Sequence, residues 1–407
     1  MNVGLFITGY FSIFPGWVNQ NGYANFSSDS FSCHSQALEL VELLRNSAWS
    51  LWWDMNSRFH TRLASICYWL WGHWSAYSNL SLLPLNLGTL FLTWLGWNRL
   101  ISLLGGEVPR SSKILYLLPL VILHFTQLLR DPYYISVFIW WLVAWILLFQ
   151  TQDNSKHVKA WLMIVCLSPF LFWVRERFWV TSQVMSLVWL LLAMTLILFR
   201  KHTFKWLLGV FFICLGMNSY SIYKYAKKNW FQQIDPLENV DPQKKDFVFF
   251  YKLASLRRDF NKSYHQPSSI DNHIEFKNDQ DVIDYLPRAL LIGFLAPFPD
   301  MWWEKGRKAG TMGRLMSALE MIFMWGVMGL GLLLFLFHPK KLEWLICFSA
   351  IIVLCLALGY VVSNVGALYR MRFVTWLIWL ALVISSLSKS SPRAQNDGVK
   401  LETSNEK

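Results

Sequence analysis

Charge is what this chain of 407 residues has least of: Asp, Glu, Lys and Arg make up only 15% of it. Soluble proteins carry about 25%. The charges are also crowded, with twenty between Lys224 and Asp284 and seven more after Ser388. What remains is a series of long apolar runs, in a composition that is 55% hydrophobic and 17% aromatic. No soluble core of this length buries such runs, so a soluble globular enzyme and a disordered chain are both excluded. Cysteine is scarce too, at six residues. Cys166, Cys214, Cys347 and Cys355 lie inside apolar runs and read as small hydrophobes. Cys33 and Cys67 alone are weak evidence for a bridge, so a disulfide-stapled domain is excluded. A P-loop, a dinucleotide fingerprint, a zinc-ligand spacing and a nucleophile elbow are all missing. Their absence speaks against ATP-driven transport by this chain alone, and neither a metal nor a cofactor is expected.

Acidic residues are the scarcer sign, 25 against 37 basic, for a formal net charge of +12. In a membrane protein this balance arises from cationic loops facing an anionic leaflet. No nucleic-acid module appears and the basic residues are scattered among apolar runs, so the partner expected is a lipid bilayer and not nucleic acid.

A bilayer core takes roughly 20 apolar residues per helix. The runs that qualify are Val3–Val18, Leu82–Leu104, Ile114–Leu129, Tyr134–Phe149, Val158–Val174, Val180–Phe199, Phe204–Ile222, Leu315–Phe337, Leu342–Val362 and Phe373–Leu387. Leu63–Tyr77 and the proline-rich Tyr285–Phe298 read better as interfacial or re-entrant pieces. The expected fold is an all-α polytopic membrane protein of about 10–12 transmembrane or interfacial helices with a small extracytoplasmic cap loop. Its expected divisions are a first span (1–18), an outer loop with amphipathic helices (19–81) and a helix bundle (82–222). A second outer loop with a broken interfacial helix (223–314), C-terminal spans (315–388) and a cytoplasmic tail (389–407) follow. The first run lacks a basic leader and a cleavage site, and is expected to stay as an anchor.

The loops Arg200–Lys205 and His338–Lys341, together with Lys156, Lys159, Arg110 and Lys113, suit the cytoplasmic side. Placing them there puts both termini inside. The other face then collects residues 19–62, the Arg130-Asp131-Pro132 turn, the Arg175-Glu176-Arg177 turn, the Tyr223–Asp284 loop and Asn364–Arg372. Arginines on that face run against the usual bias. Each either snorkels or pairs locally, as Arg130 could with Asp131, or has a task on that face.

Several polar residues there are candidates. Asp29, in the polar run Asn25–Ser30, either caps the helix that follows or serves as a general base toward a hydroxyl. His34 and an amphipathic stretch over Gln36–Leu51 come next, ending at Trp49, Trp52 and Trp53. His124, Gln127 and Arg130 share a helix face by spacing, and either knit two helices together or hold a phosphate or sugar hydroxyl. Arg370 and Arg372, with Tyr369, flank the mouth of the last span, where two guanidinium groups match a phosphate at headgroup level. Arg288 opens the broken segment that runs to Trp303.

The plan resembles bacterial members of the GT-C superfamily: a first span, a long outer loop with an acidic residue and amphipathic helices, further spans, and a late outer loop. The segments Tyr285–Trp302 and Asn364–Arg372 also resemble bacterial envelope-polysaccharide membrane proteins. The resemblance implies an inner-membrane glycosyltransferase that moves a sugar from a polyprenyl-phosphate carrier to a glycan or lipid acceptor. It implies Asp29 as base, and Arg130, Arg370 and Arg372 as ligands of the carrier phosphate. Unlike many members, this chain has Ser28 and Ser30, not a second acid, beside Asp29. A polymerase or ligase of the O-antigen type, and a transporter of lipid-linked substrates, are the alternative expectations.

Overall fold

The computed structural model of the protein describes residues 19–23, 28–55, 57–75, 77–107, 125–150, 153–197, 250–263, 269–303, 310–337 and 342–388. At 28, 29, 176–180, 192–197, 263, 310–313 and 316 it describes the backbone alone. The expected spans Val3–Val18 and Phe204–Ile222, and most of Ile114–Leu129, lie outside these residues.

Two short helices and a longer one precede the first described span: α1 (Ser28–Arg45), α2 (Trp49–Asp54) and α3 (Phe59–Trp71). The amphipathic stretch expected over Gln36–Leu51 is therefore not one helix. It begins earlier and breaks at Ser47, whose φ of 55° no helix accommodates. Four long helices follow: α4 (Leu83–Leu103), α5 (Asp131–Gln150), α6 (Asn154–Val174) and α7 (Glu176–Ile197). Pro84 in the first turn of α4 and Asp153, which accepts from Ser155 N at 2.9 Å, fix two of the starts.

The second half supplies α8 (Tyr251–Ser263), α9 (Asp279–Asp284), α10 (Leu286–Leu295), α11 (Gly310–Phe337), α12 (Leu342–Val361), α13 (Val365–Met371) and α14 (Phe373–Leu387). Among the described residues, five helices are long and apolar enough to cross a bilayer, and six if α13 and α14, bent by 44°, form one span. The chain is an all-α, multi-pass membrane protein.

Helix α5 is the hub. Its span is 83% buried, against 28% for the α11 span, which turns Leu332, Leu333 and Leu336 outward. Trp141 and Trp145 on α5 pack against Trp189 on α7 at ring-centroid distances of 5.1 and 5.4 Å. Helix α10, with 10 residues, is about 15 Å long and cannot cross a core of about 30 Å. It lies instead backbone-to-backbone on α12. A Cβ at Gly359 would fall 1.9 Å from Ala289 O, and one at Gly293 would fall 2.1 Å from Cys355 O.

Hydrogen bonds sort the helix ends onto two sides. On one, Gln150 Nε2 donates to Leu103 O and to Glu343 Oε1, and Glu107 N donates to Ser388 Oγ. On the other, Asp131 at the start of α5 meets Arg175 at the end of α6, and an isolated β-bridge joins Ser269 to Asn364. The second side also carries α1 to α3 and a small cap of α8 to α10 with its own apolar core around Phe260, Phe276 and Val282.

Candidate functional site

Antiparallel neighbours α5 and α6 bring a carboxylate and a guanidinium to the same level. Arg175 Nη1 lies 3.0 Å from Asp131 Oδ1, with side chains only 3% and 5% exposed. The Arg175 guanidinium also sits 5.6 Å above the Tyr134 ring. This pair is the floor of a narrow cleft of about 10 Å³, room for roughly one water. Arg58, Arg130 and Arg370 line the same cleft, with His60, Cys33, Leu128 and Leu129. Arg58 is exposed, and Arg130 and Arg370 are half-buried, so these three form the rim.

The elements that deliver these side chains are distant in sequence. Arg58 precedes α3 in extended conformation and His60 lies in its first turn. Arg130 ends the turn before α5, and Arg370 comes from α13. Asn364 sets the start of α13 by accepting from Ala367 N at 3.0 Å. Among the described residues, four guanidinium groups against one carboxylate give the lining a surplus of positive charge. With room inside for roughly one water, such a cluster suits an anion that docks its oxygens at the rim from outside, a phosphate above all.

No family model, curated protein or solved structure matches this chain. The chemistry of the cleft must therefore speak for itself.

Of the residues singled out from the sequence, the structure brings Arg130 and Arg370 together in the cleft. Asp29 has its backbone in the first turn of α1, one helical turn ahead of Cys33, and its side chain lies outside the described residues. His124 lies outside them altogether. Gln127 is buried in the turn before α5.

His34 belongs to a different polar cluster. Its Nδ1 is 2.9 Å from Tyr68 Oη, and Tyr68 hydrogen-bonds in turn to Tyr23. Burial lowers the His34 pKa below the ordinary histidine value. Tyr369 packs edge-on against Trp376 at 5.3 Å.

Arg372 is 1% exposed and turned away from the cleft. It donates to Gly293 O at 3.0 Å and to Ala296 O, covering the last carbonyls of α10, and stacks 5.3 Å over Trp376. Arg372 stands at the bend between α13 and α14.

Arg288 is engaged in the cap, where Nε and Nη2 donate to the two Asp271 oxygens at 2.9 and 3.2 Å. Tyr285 Oη donates to the same carboxylate at 2.9 Å. The buried Arg257 ties the cap to α12 by donating to Tyr360 O at 2.9 Å. Burial raises the Asp271 pKa, but the Arg288 and Tyr285 hydrogen bonds and the Arg288 and Arg257 charges outweigh it and hold the carboxyl below its ordinary range. A depressed folded pKa stabilises the cap above the unfolded value and loses that contribution as pH falls through the folded one. The cap is expected to keep its protease resistance from about pH 7 to 5 and to loosen below about pH 4. Asp271→Asn should bring the loosened state to neutral pH, and an unchanged digestion pattern in that variant would refute the assignment.

Arg58, His60 and Arg175 were not singled out as site residues from the sequence. Arg175 had a legible signal, since it ends one span opposite the Asp131 that starts its neighbour. Arg58 and His60 had none beyond lying in the first outer loop. Asp131 pairs with Arg175, across the helix hairpin. Among the described residues, no three His, Cys, Asp or Glu side chains come together as a metal site.

Proposed function

We propose that this protein is a membrane glycosyltransferase that takes its sugar from a polyprenyl-phosphate-linked donor and transfers it to an envelope glycan or lipid acceptor at the cleft side of the membrane. One observation carries the reading: Arg58, Arg130, Arg175 and Arg370 converge at one mouth where the bundle meets α1, α3 and α13. A lipid-linked donor has its phosphate at headgroup depth and its polyprenyl chain in the bilayer, which suits arginines at the ends of apolar helices. As the sugar departs, negative charge grows on the phosphate, and fixed guanidinium groups stabilise it most in that state. Asp29, a turn from Cys33 on α1, is the base that takes the acceptor proton.

A polymerase or ligase of the O-antigen type is the second reading. The cleft favours it in one respect, because the carboxylate that lines it, Asp131, is already held by Arg175.

Binding separates the donor reading from scaffolding, and transfer of the sugar to an acceptor separates it from transport of the lipid-linked substrate. The protein in nanodiscs should bind polyprenyl phosphate and ignore polyprenol. The Arg130→Gln and Arg370→Gln variants should each weaken binding by about tenfold, the value of one charged hydrogen bond. Equal binding of phosphate and alcohol would sink the reading.

A further inference from the structure

Cys33 lines the cleft, and the proposed transfer has no use for it. Its Sγ lies 3.2 Å from His60 Nε2, and Arg58 Nη1 points at it from 3.9 Å. From the neighbouring elements Arg130, Asp131, Arg175 and Arg370 share the cleft. The Tyr23 and Tyr68 hydroxyls lie near enough to feel its charge, and His34 follows it on α1. Cys33 is 1% exposed, as buried as Cys347 and Cys355; Cys355 lies near the Arg372 charge and Thr375, while Cys67 and Cys347 pack among apolar side chains. A thiol flanked by an imidazole and guanidinium groups is the kind that reacts, because the thiolate is the nucleophile and cations favour it.

We propose that Cys33 is an activated thiol and the site at which small peroxides modify this protein. The chemistry balances within the cleft. His60 takes the thiol proton. The sulfur attacks one peroxide oxygen, an S–O bond forms and the O–O bond breaks. The departing hydroxide recovers the proton from His60 and leaves as water. Sulfur loses two electrons, the peroxide gains them, and Cys33 becomes a sulfenic acid. The arginines stabilise the hydroxide as it leaves.

The test uses the purified full-length chain in detergent and does not depend on the transfer reaction. Hydrogen peroxide is added at pH 7, quenched with catalase, and the protein is denatured. Surviving thiols are alkylated and counted at each cysteine by mass spectrometry. Cys33 should be lost at least about tenfold faster than Cys67, and His60→Gln should remove most of that difference. Equal loss at Cys33 and Cys67, or an unchanged Cys33 rate in folded His60→Gln protein, would overturn the proposal. Should His60→Gln fail to fold, Arg58→Gln, at an exposed position, takes its place: slower Cys33 loss supports the proposal and an unchanged rate overturns it.

Discussion

Asp131→Ala is expected to be among the most destabilising single changes in the bundle, costing about 3–5 kcal/mol. The reason is the Arg175 guanidinium, which is 3% exposed and has its counter-ion 3.0 Å away. Truncating the carboxylate leaves that charge in a medium that solvates it poorly, and returns nothing in packing. The companion experiment separates charge from volume. Asp131→Ala combined with Arg175→Met removes both charges and fills the arginine's space with an apolar stem, so most of the lost stability should return. Thermal unfolding of the three variants in one detergent reads the difference. If the double variant is no more stable than the single one, the ion pair is not what holds α5 to α6 at this end. The comparison also bears on the cleft, whose floor is this pair: the double variant removes one charge of each sign and keeps Arg58, Arg130 and Arg370, so phosphate binding at the rim should persist.

The spans were legible because a helix that meets lipid on one side and helices on the other must be apolar nearly throughout. The expected Leu342–Val362 and Phe373–Leu387 runs match α12 and α14 to within a residue for that reason. The break after Arg45 was not legible, since it depends on one left-handed residue, Ser47, in a stretch whose apolar spacing continues across it. Sorting charge by face pointed to arginines with a task, and Arg130 and Arg370 do converge. The same sorting did not distinguish Arg372 from Arg370, two residues apart. They differ through α10, whose last carbonyls need a donor, and α10, far away in sequence, packs on α12 through Gly293 and Gly359. Arg58 and His60 share that difficulty: what places them in the cleft is the fold of α1 against α3, and no local pattern encodes it.

Asp29→Asn carries the largest expected effect on activity, a loss of transfer of about 100-fold or more, the usual worth of a positioned general base. Asp29 lies inside the first turn of α1 and not at its N-cap, so the roles that compete are a carboxylate at the positive end of the helix and a base, and this substitution separates them. Asparagine loses the charge and keeps a polar side chain, so the first role predicts a small loss of stability, about 0.3–1 kcal/mol, and unchanged turnover. It cannot take a proton, so a catalytic role predicts unchanged stability and lost turnover. Helical rise supports the second role, since residue 29 stands four residues ahead of Cys33, about 6 Å along α1 from the cleft. The kinetic pattern should differ from that of the rim. Asp29→Asn should lower kcat with donor binding intact, because the arginines hold the phosphate. Arg370→Gln should raise KM for the lipid-linked donor as well as slow the reaction, because its contact is made in the ground state and strengthens as charge develops. Transfer in proteoliposomes supplied with a lipid-linked sugar donor measures both. Near-normal turnover in the Asp29→Asn variant would remove Asp29 from the mechanism. The arginine cleft would then stand as the catalytic apparatus by itself, the arrangement that the polymerase or ligase reading requires.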